Sequence, residues 1–299
     1  MSFAGVVKEE LCRDEMGRKC CARAELYGVL LFCQTFSAAE IKIVTGGPAF
    51  ARRLPELLRR AFKLDFDAVT AKGDGAGKRT FLLNRRDKLS AVLDYYGYDP
   101  AVSLAHHINF GVLEEDHCKA AFLRGAFLAA GSVSDPEKSY HLELVTSHFS
   151  VSRELVALLQ EVGFAPKQTT RKSNYVTYFK PSETIEELLT YIGAPLAAME
   201  IMNAKLEKNL RGSVNRRVNC DSANLDKAVD AALEQVEAIG RLSAARGLDS
   251  LPDKLRETAQ LRLENPELTL SQLAALCDPP ISKSALNHRL RKLMELAGE

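Results

Sequence analysis

The chain has no tryptophan, and aromatic residues make up only 7% of its 299 positions. It therefore lacks the aromatic-rich stacking surface that single-strand nucleic-acid readers use, which argues against an RNA-binding role. No run of about 18 or more apolar residues occurs, so no membrane span is expected. The opening MSFAGVVKEELCR carries acids and lacks a long apolar core, unlike a secretory signal. Cysteines number seven, an odd count, with no C-x-x-C pair and no His/Cys cluster at zinc spacing. Adjacent Cys20 and Cys21 read as small buried residues at a helix start. Excess charge is missing as well: 40 Lys+Arg face 39 Asp+Glu, for a formal net charge of +1. Any affinity for nucleic acid must then come from local patches. These absences describe a protein of a reducing cytoplasm, associated with the nucleoid if it binds DNA, with no cofactor, metal site or membrane partner expected.

What is present is enough hydrophobic sequence, 46% of residues, to build the cores of two or three domains. The most informative stretch is ISKSALNHRLRK, residues 281–292. Read as a helix capped by Ser282, it puts Leu286, Leu290 and Leu293 on one stripe. Ser284, Asn287, His288, Arg291 and Lys292 fall on the other side, with Lys283 and Arg289 flanking the stripe. No acid interrupts the segment. An apolar back and a front of Ser, Asn, His, Arg and Lys suit a DNA major groove, where such side chains donate to phosphates and base edges. His288 lies among cations with no nearby Cys, His or carboxylate in sequence, so neither a metal nor a catalytic role is expected of it. Upstream, Thr269 and Gln272 form a capping-box pattern opening the short helix SQLAALC, which Asp278-Pro279-Pro280 must end. Asp253 to Leu263 reads as a further helix closed by Asn265-Pro266. Three short helices, the last basic, predict a helix-turn-helix module over 251–299.

The first two-thirds of the chain repeats itself. Lys8 to Cys12 suggests a short helix, and Cys20 to Cys33 a second one with Gly28 in mid-helix. Gly28 suggests a neighbour too close for a Cβ. Ile41 to Thr45 alternates as a strand, Ala49 to Phe62 is an amphipathic helix, and Phe66 to Ala71 with Arg79 to Leu83 reads as a hairpin. Asp87 to Tyr95 closes the unit. The turn GDGAG between the hairpin strands lacks the following helix and Lys-Ser/Thr pair of a phosphate cradle, so it reads as a hairpin loop. The order then recurs: a helix from Lys119 to Gly131 with Gly125 at its centre, 97 positions after Gly28 (125 − 28). A strand at His141 to Thr146, a helix at Phe149 to Glu161, a hairpin from Lys167–Arg171 and Tyr175–Phe179, and a helix at Glu183 to Tyr191 follow. This predicts two similar α+β halves about a pseudo-twofold axis, 1–99 and 100–196, with the glycine-bearing helices in contact.

Paired helices with a central glycine, each leading into strands, resemble the LAGLIDADG homing-endonuclease architecture. RGAFLAAGSVSDP (124–136) followed by YHLEL, VNRRVNCDSANL (214–225), ISKSALNHRLRKL and the opening MSFA resemble the WhiA family of bacterial regulators. The resemblance implies an α+β fold, a duplicated LAGLIDADG-like domain followed by an all-α helix-turn-helix domain. It also implies a role in transcription, sporulation and cell division, with a link to chromosome segregation. Homing endonucleases of this type place a metal-binding acid at the C-terminal end of each motif helix. Aligning the central glycines puts those positions at Cys33 and Ala130, neither of which is a hard-cation ligand. The nearest following acids are Glu40 and Asp135. The resemblance thus implies no catalytic residues.

Between the modules, 197–250 reads as a helical connector: Ala197 to Leu210, a break at Arg211-Gly212-Ser213, and Asp226 to Leu242. Lys205, Lys208, Arg211, Arg216 and Arg217 form a basic cluster there. It is either a second phosphate-contacting surface or a connector salt-bridged by the acids of the following helix. Three functions fit the whole: a non-catalytic, sequence-specific transcription regulator at promoter sites on double-stranded DNA, a working homing endonuclease, or a scaffold whose N-terminal domain binds another protein while the helix-turn-helix supplies the DNA address.

Overall fold

The computed structural model describes residues 2–71, 77–99 and 106–298. They fall into two compact units, Met1–Lys208 and Asn209–Glu299. In chain order the first unit contains α1 (Phe3–Arg13), α2 (Lys19–Leu31), β1 (Thr35–Phe36), β2 (Ile41–Thr45), α3 (Pro48–Phe62), β3 (Ala68–Ala71), β4 (Arg79–Leu83) and α4 (Arg86–Tyr96). The repeat follows as α5 (Asp116–Ala130), β5 (Gly131–Val133), β6 (Leu142–Thr146), α6 (Phe149–Glu161), β7 (Lys167–Arg171), β8 (Asn174–Phe179) and α7 (Ser182–Ile192). Both sheets are antiparallel and share one topology, β1-β2-β4-β3 and β5-β6-β8-β7. The duplication read from the sequence is therefore real in the backbone. Residues 72–76, most of the glycine-rich turn, lie outside the described residues.

The glycine helices meet as expected, and the reason is steric. A Cβ on Gly28 would stand 2.1 Å from the Phe122 carbonyl oxygen, and one on Gly125 would stand 1.9 Å from that of Glu25. Each glycine lies over the carbonyl three residues before the other, a reciprocal contact that only a twofold arrangement of two backbones produces. Around it, Glu25 is buried yet charged. It takes a bidentate pair from Arg53 of α3 at 2.6 and 2.9 Å, with Arg124 of α5 at 3.6 Å. Arg124 also pairs with Asp14 at 2.7 Å and donates to the Ile192 carbonyl at 2.7 Å. A buried carboxylate is tolerable only when so partnered, and its partners here come from both halves.

The connector departs from expectation. The break at Arg211-Gly212-Ser213 does not occur: α8 runs without interruption from Pro195 to Arg246, beginning in the first unit and ending in the second. An interior glycine costs a helix about 1 kcal/mol, which is too little to end one without proline or a left-handed cap. Its N-terminus is held by Glu10 of α1, whose carboxylate accepts from the amides of Leu196 and Ala197 at 2.7 and 2.9 Å. Ile239 and Leu242, near its other end, belong to the core of the second unit. That unit is completed by α9 (Asp253–Glu264), α10 (Leu270–Leu276) and α11 (Lys283–Gly298).

Candidate functional site

The capping box forms as read: the Thr269 hydroxyl accepts from the Gln272 amide, and the Gln272 side chain accepts from the Thr269 amide at 2.9 Å. The proline turn is tied back at both sides. The Ile281 amide donates to the Ala274 carbonyl at 3.0 Å, and the Asp278 amide to Glu257 of α9 at 2.8 Å. Ser282 then caps α11, its hydroxyl accepting from the Ala285 amide at 3.2 Å. Leu286, Leu290 and Leu293 are buried with Leu255, Ala259, Leu273 and Ala274. The remaining face follows from that burial. Ser282, Lys283, Ser284, His288, Arg291 and Lys292 are exposed, and Asn287 is half-buried. Among the described residues, Lys283, Arg291 and Lys292 have no ion-pair partner.

Arg289 is the exception. Its guanidinium turns to α9, donating to Glu257 at 3.3 Å, to the Thr258 hydroxyl at 3.5 Å and to the Lys254 carbonyl at 3.4 Å. It flanks the leucine stripe, as its position in the sequence indicated, but the nearest acid lies across the helix pair and claims it. Glu257 thus holds both the proline turn and α11.

The basic cluster of α8 divides in two. Lys205 pairs with Glu183, and Lys208 donates to the Pro136 carbonyl at 2.5 Å with its ammonium 4.8 Å from the Tyr140 ring centroid. Both are spent on the first unit. Arg211, Arg216 and Arg217 are exposed, and no described acid pairs with them. Among the described residues these three make no salt bridge, although Glu207 and Asp221 stand one turn from Arg211 and Arg217 on the same helix.

At the C-terminal ends of the motif helices, Cys33 lies just past α2. Its thiol donates to the carbonyls of Leu30 and Thr35, and burial pushes its pKa up to about 12. Ala130 is the last residue of α5. Asp135 is used in a turn, accepting from the Glu137 amide at 3.0 Å. The Glu40 amide donates to Ser37 at 3.1 Å. Among the described residues, groups of three or more metal-competent side chains do not occur at these ends. They occur instead at the opposite ends. Cys20 and Cys21, read as buried at a helix start, are exposed and half-buried, and they converge with His117 and Cys118. Linear spacing concealed this, since the two pairs are brought together only by the pseudo-twofold fold.

A duplicated LAGLIDADG-type α+β domain followed by a helix-turn-helix defines the class of protein. Residues 119–211 match the model of the WhiA LAGLIDADG-like domain, and residues 214–297 that of the WhiA C-terminal HTH domain. The chain is 38% identical to a protein of Alkaliphilus metalliredigens named probable cell division protein WhiA, covering 99% of this chain and 98% of that one. A protein of the same name from Ruminiclostridium cellulolyticum is 37% identical, over 99% and 97%. The fold is similar to that of full-length DUF199/WhiA from Thermatoga maritima, with a TM-score of 0.62 at 22% identity over 100% of this chain and 98% of that one. The chain belongs to the WhiA family. No described helix is long and apolar enough to cross a membrane.

Proposed function

We propose that the chain is a non-catalytic DNA-binding regulator of cell division, reading double-stranded promoter sites through α11. The observation that carries this is the unpaired cationic front of α11, set on a leucine back that fixes its orientation. Arg291, Asn287 and Ser284 contact base edges, while Lys283 and Lys292 hold phosphates. Arg211, Arg216 and Arg217 add a second phosphate-contacting surface, which raises affinity without adding sequence choice. Arg289 serves the module's structure. The role in division is suggested by the names of the relatives, and the non-catalytic reading by a thiol and a methyl group at the metal-ligand positions.

The test is a gel-shift titration at several salt concentrations with genomic fragments recovered by cross-linking. Arg291→Ala should weaken specific binding by roughly 1–3 kcal/mol. Lys283→Ala should weaken specific and non-specific binding alike and flatten the salt dependence. Arg289→Ala should instead lower the melting temperature. Unchanged affinity in a well-folded Arg291→Ala/Lys292→Ala protein would overturn the assignment, as would a recovered motif that persists without residues 252–299.

A further inference from the structure

The four side chains at the N-terminal ends of the motif helices form a site of their own. Cys20 and Cys21 occupy the first turn of α2, and His117 and Cys118 the first turn of α5. The offset is 97 for Cys20 and His117 (117 − 20) and for Cys21 and Cys118 (118 − 21), the same as for the two glycines. The pseudo-twofold axis that passes between Gly28 and Gly125 therefore relates the two pairs, each half supplying two donors. His117 Nδ1 lies 3.2 Å from the Cys118 sulfur and 3.5 Å from that of Cys21. All four donor atoms lie within 4.8 Å of one another.

We infer that Cys20, Cys21, His117 and Cys118 bind one zinc ion, clipping the N-terminal ends of the two motif helices together. A tetrahedral zinc with Zn–S near 2.3 Å and Zn–N near 2.0–2.1 Å needs donors about 3.5–3.8 Å apart, so the observed spacing requires only small side-chain adjustments. Four protein donors leave no open coordination position, which makes the site structural and not hydrolytic. Three sulfurs and one imidazole favour zinc over the oxygen-seeking calcium and magnesium. Binding releases three thiol protons to solvent, leaving three thiolates, a neutral imidazole and Zn2+, a net charge of −1. Two helix N-termini and the exposed Arg18 oppose that charge. Arg18 Nη1 now stands 3.2 Å from His117 Nε2. With zinc on Nδ1 that nitrogen carries the ring proton, so Arg18 must swing from it toward the thiolates. Cys118 is buried, while Cys20 is exposed and Cys21 half-buried, which gives the ion an entry path.

The full chain, purified under reducing conditions without an affinity metal, should contain about one zinc per chain by elemental mass spectrometry. Replacing zinc by Co2+ should give the intense visible absorption of a tetrahedral thiolate site. Cys21→Ser/Cys118→Ser should lose the metal and the absorption and lower the melting temperature while keeping native circular dichroism. His117→Cys, which leaves a four-cysteine set, should keep the metal and strengthen the sulfur-to-cobalt charge-transfer band. Metal-free protein that neither takes up Co2+ nor changes melting temperature on adding zinc would overturn the inference. So would zinc retained in full by the double variant, or an intact-mass deficit showing that these cysteines are instead joined in a disulfide under the same reducing conditions.

Discussion

Two residues carry the junction between the halves, and neither has a side chain. At Gly28 and Gly125 an added methyl group would meet backbone, which cannot rotate away as a side chain can. Either alanine substitution must therefore push the helices apart, and each should lower stability by at least about 1–3 kcal/mol, read as a fall in the urea midpoint. Equal stability of Gly28→Ala and the parent would contradict the close approach. Lys8 makes a different expectation. Burial pushes its pKa down to about 8, against an opposing effect of Cys12, and its ammonium lies 5.8 Å from the Phe127 ring centroid. The folded value is below the unfolded one of about 10.4, so between the two the unfolded chain holds more protons and stability rises with pH. Below about 8 Lys8 is charged in both states and its burial is a cost. Lys8→Met should then raise the urea midpoint at pH 7, with an advantage over the parent that shrinks from pH 8 to 10. An advantage constant across that range would rule out Lys8 as the titrating group.

Elements with a strong local signature were legible. β2, β4 and α6 begin and end where alternation or amphipathic spacing placed them, because one face of each is buried; β7 also matches, though all five of its residues are exposed and only its pairing with β8 fixes it. The capping box of α10 and the leucine back of α11 were readable too. The continuity of α8 was not. From 209 to 231 nearly every residue is exposed, so no buried face marks the period, and Arg-Gly-Ser resembles a break. Gly212 is in ordinary helical conformation, and an added Cβ would meet only the far end of Arg216 at 3.6 Å. Gly212→Ala should therefore stabilise α8 locally by about 0.5–1 kcal/mol and slow amide exchange around it. Faster exchange in that variant would mean that the glycine serves a bend. What the sequence hid at the site was long-range: the partner of Arg289 lies 32 positions away, and the Cys/His convergence spans both halves.

For the whole molecule, a scaffold of endonuclease type leads to an expectation of inaction. Supercoiled plasmid carrying a confirmed binding site should stay intact with purified protein in magnesium or manganese, because Cys33 and Ala130 offer no oxygen ligand where the chemistry needs two. Site-dependent nicking that Glu40→Ala or Asp135→Ala abolishes would show that the active centre lies elsewhere. The reciprocal glycine contact also bears on how the molecule is made. α2 leaves the ribosome 97 residues ahead of the helix it must meet (125 − 28). At a synthesis rate of about 5–20 residues per second, its bare backbone groove waits roughly 5–20 s for its partner. During that interval the nascent first half is half of a symmetric pair with no second half in its own chain. The nearest complementary surface is then the same half emerging from the next ribosome on the message, so chaperone capture or slow translation between the repeats would protect the newborn chain from pairing with its neighbour.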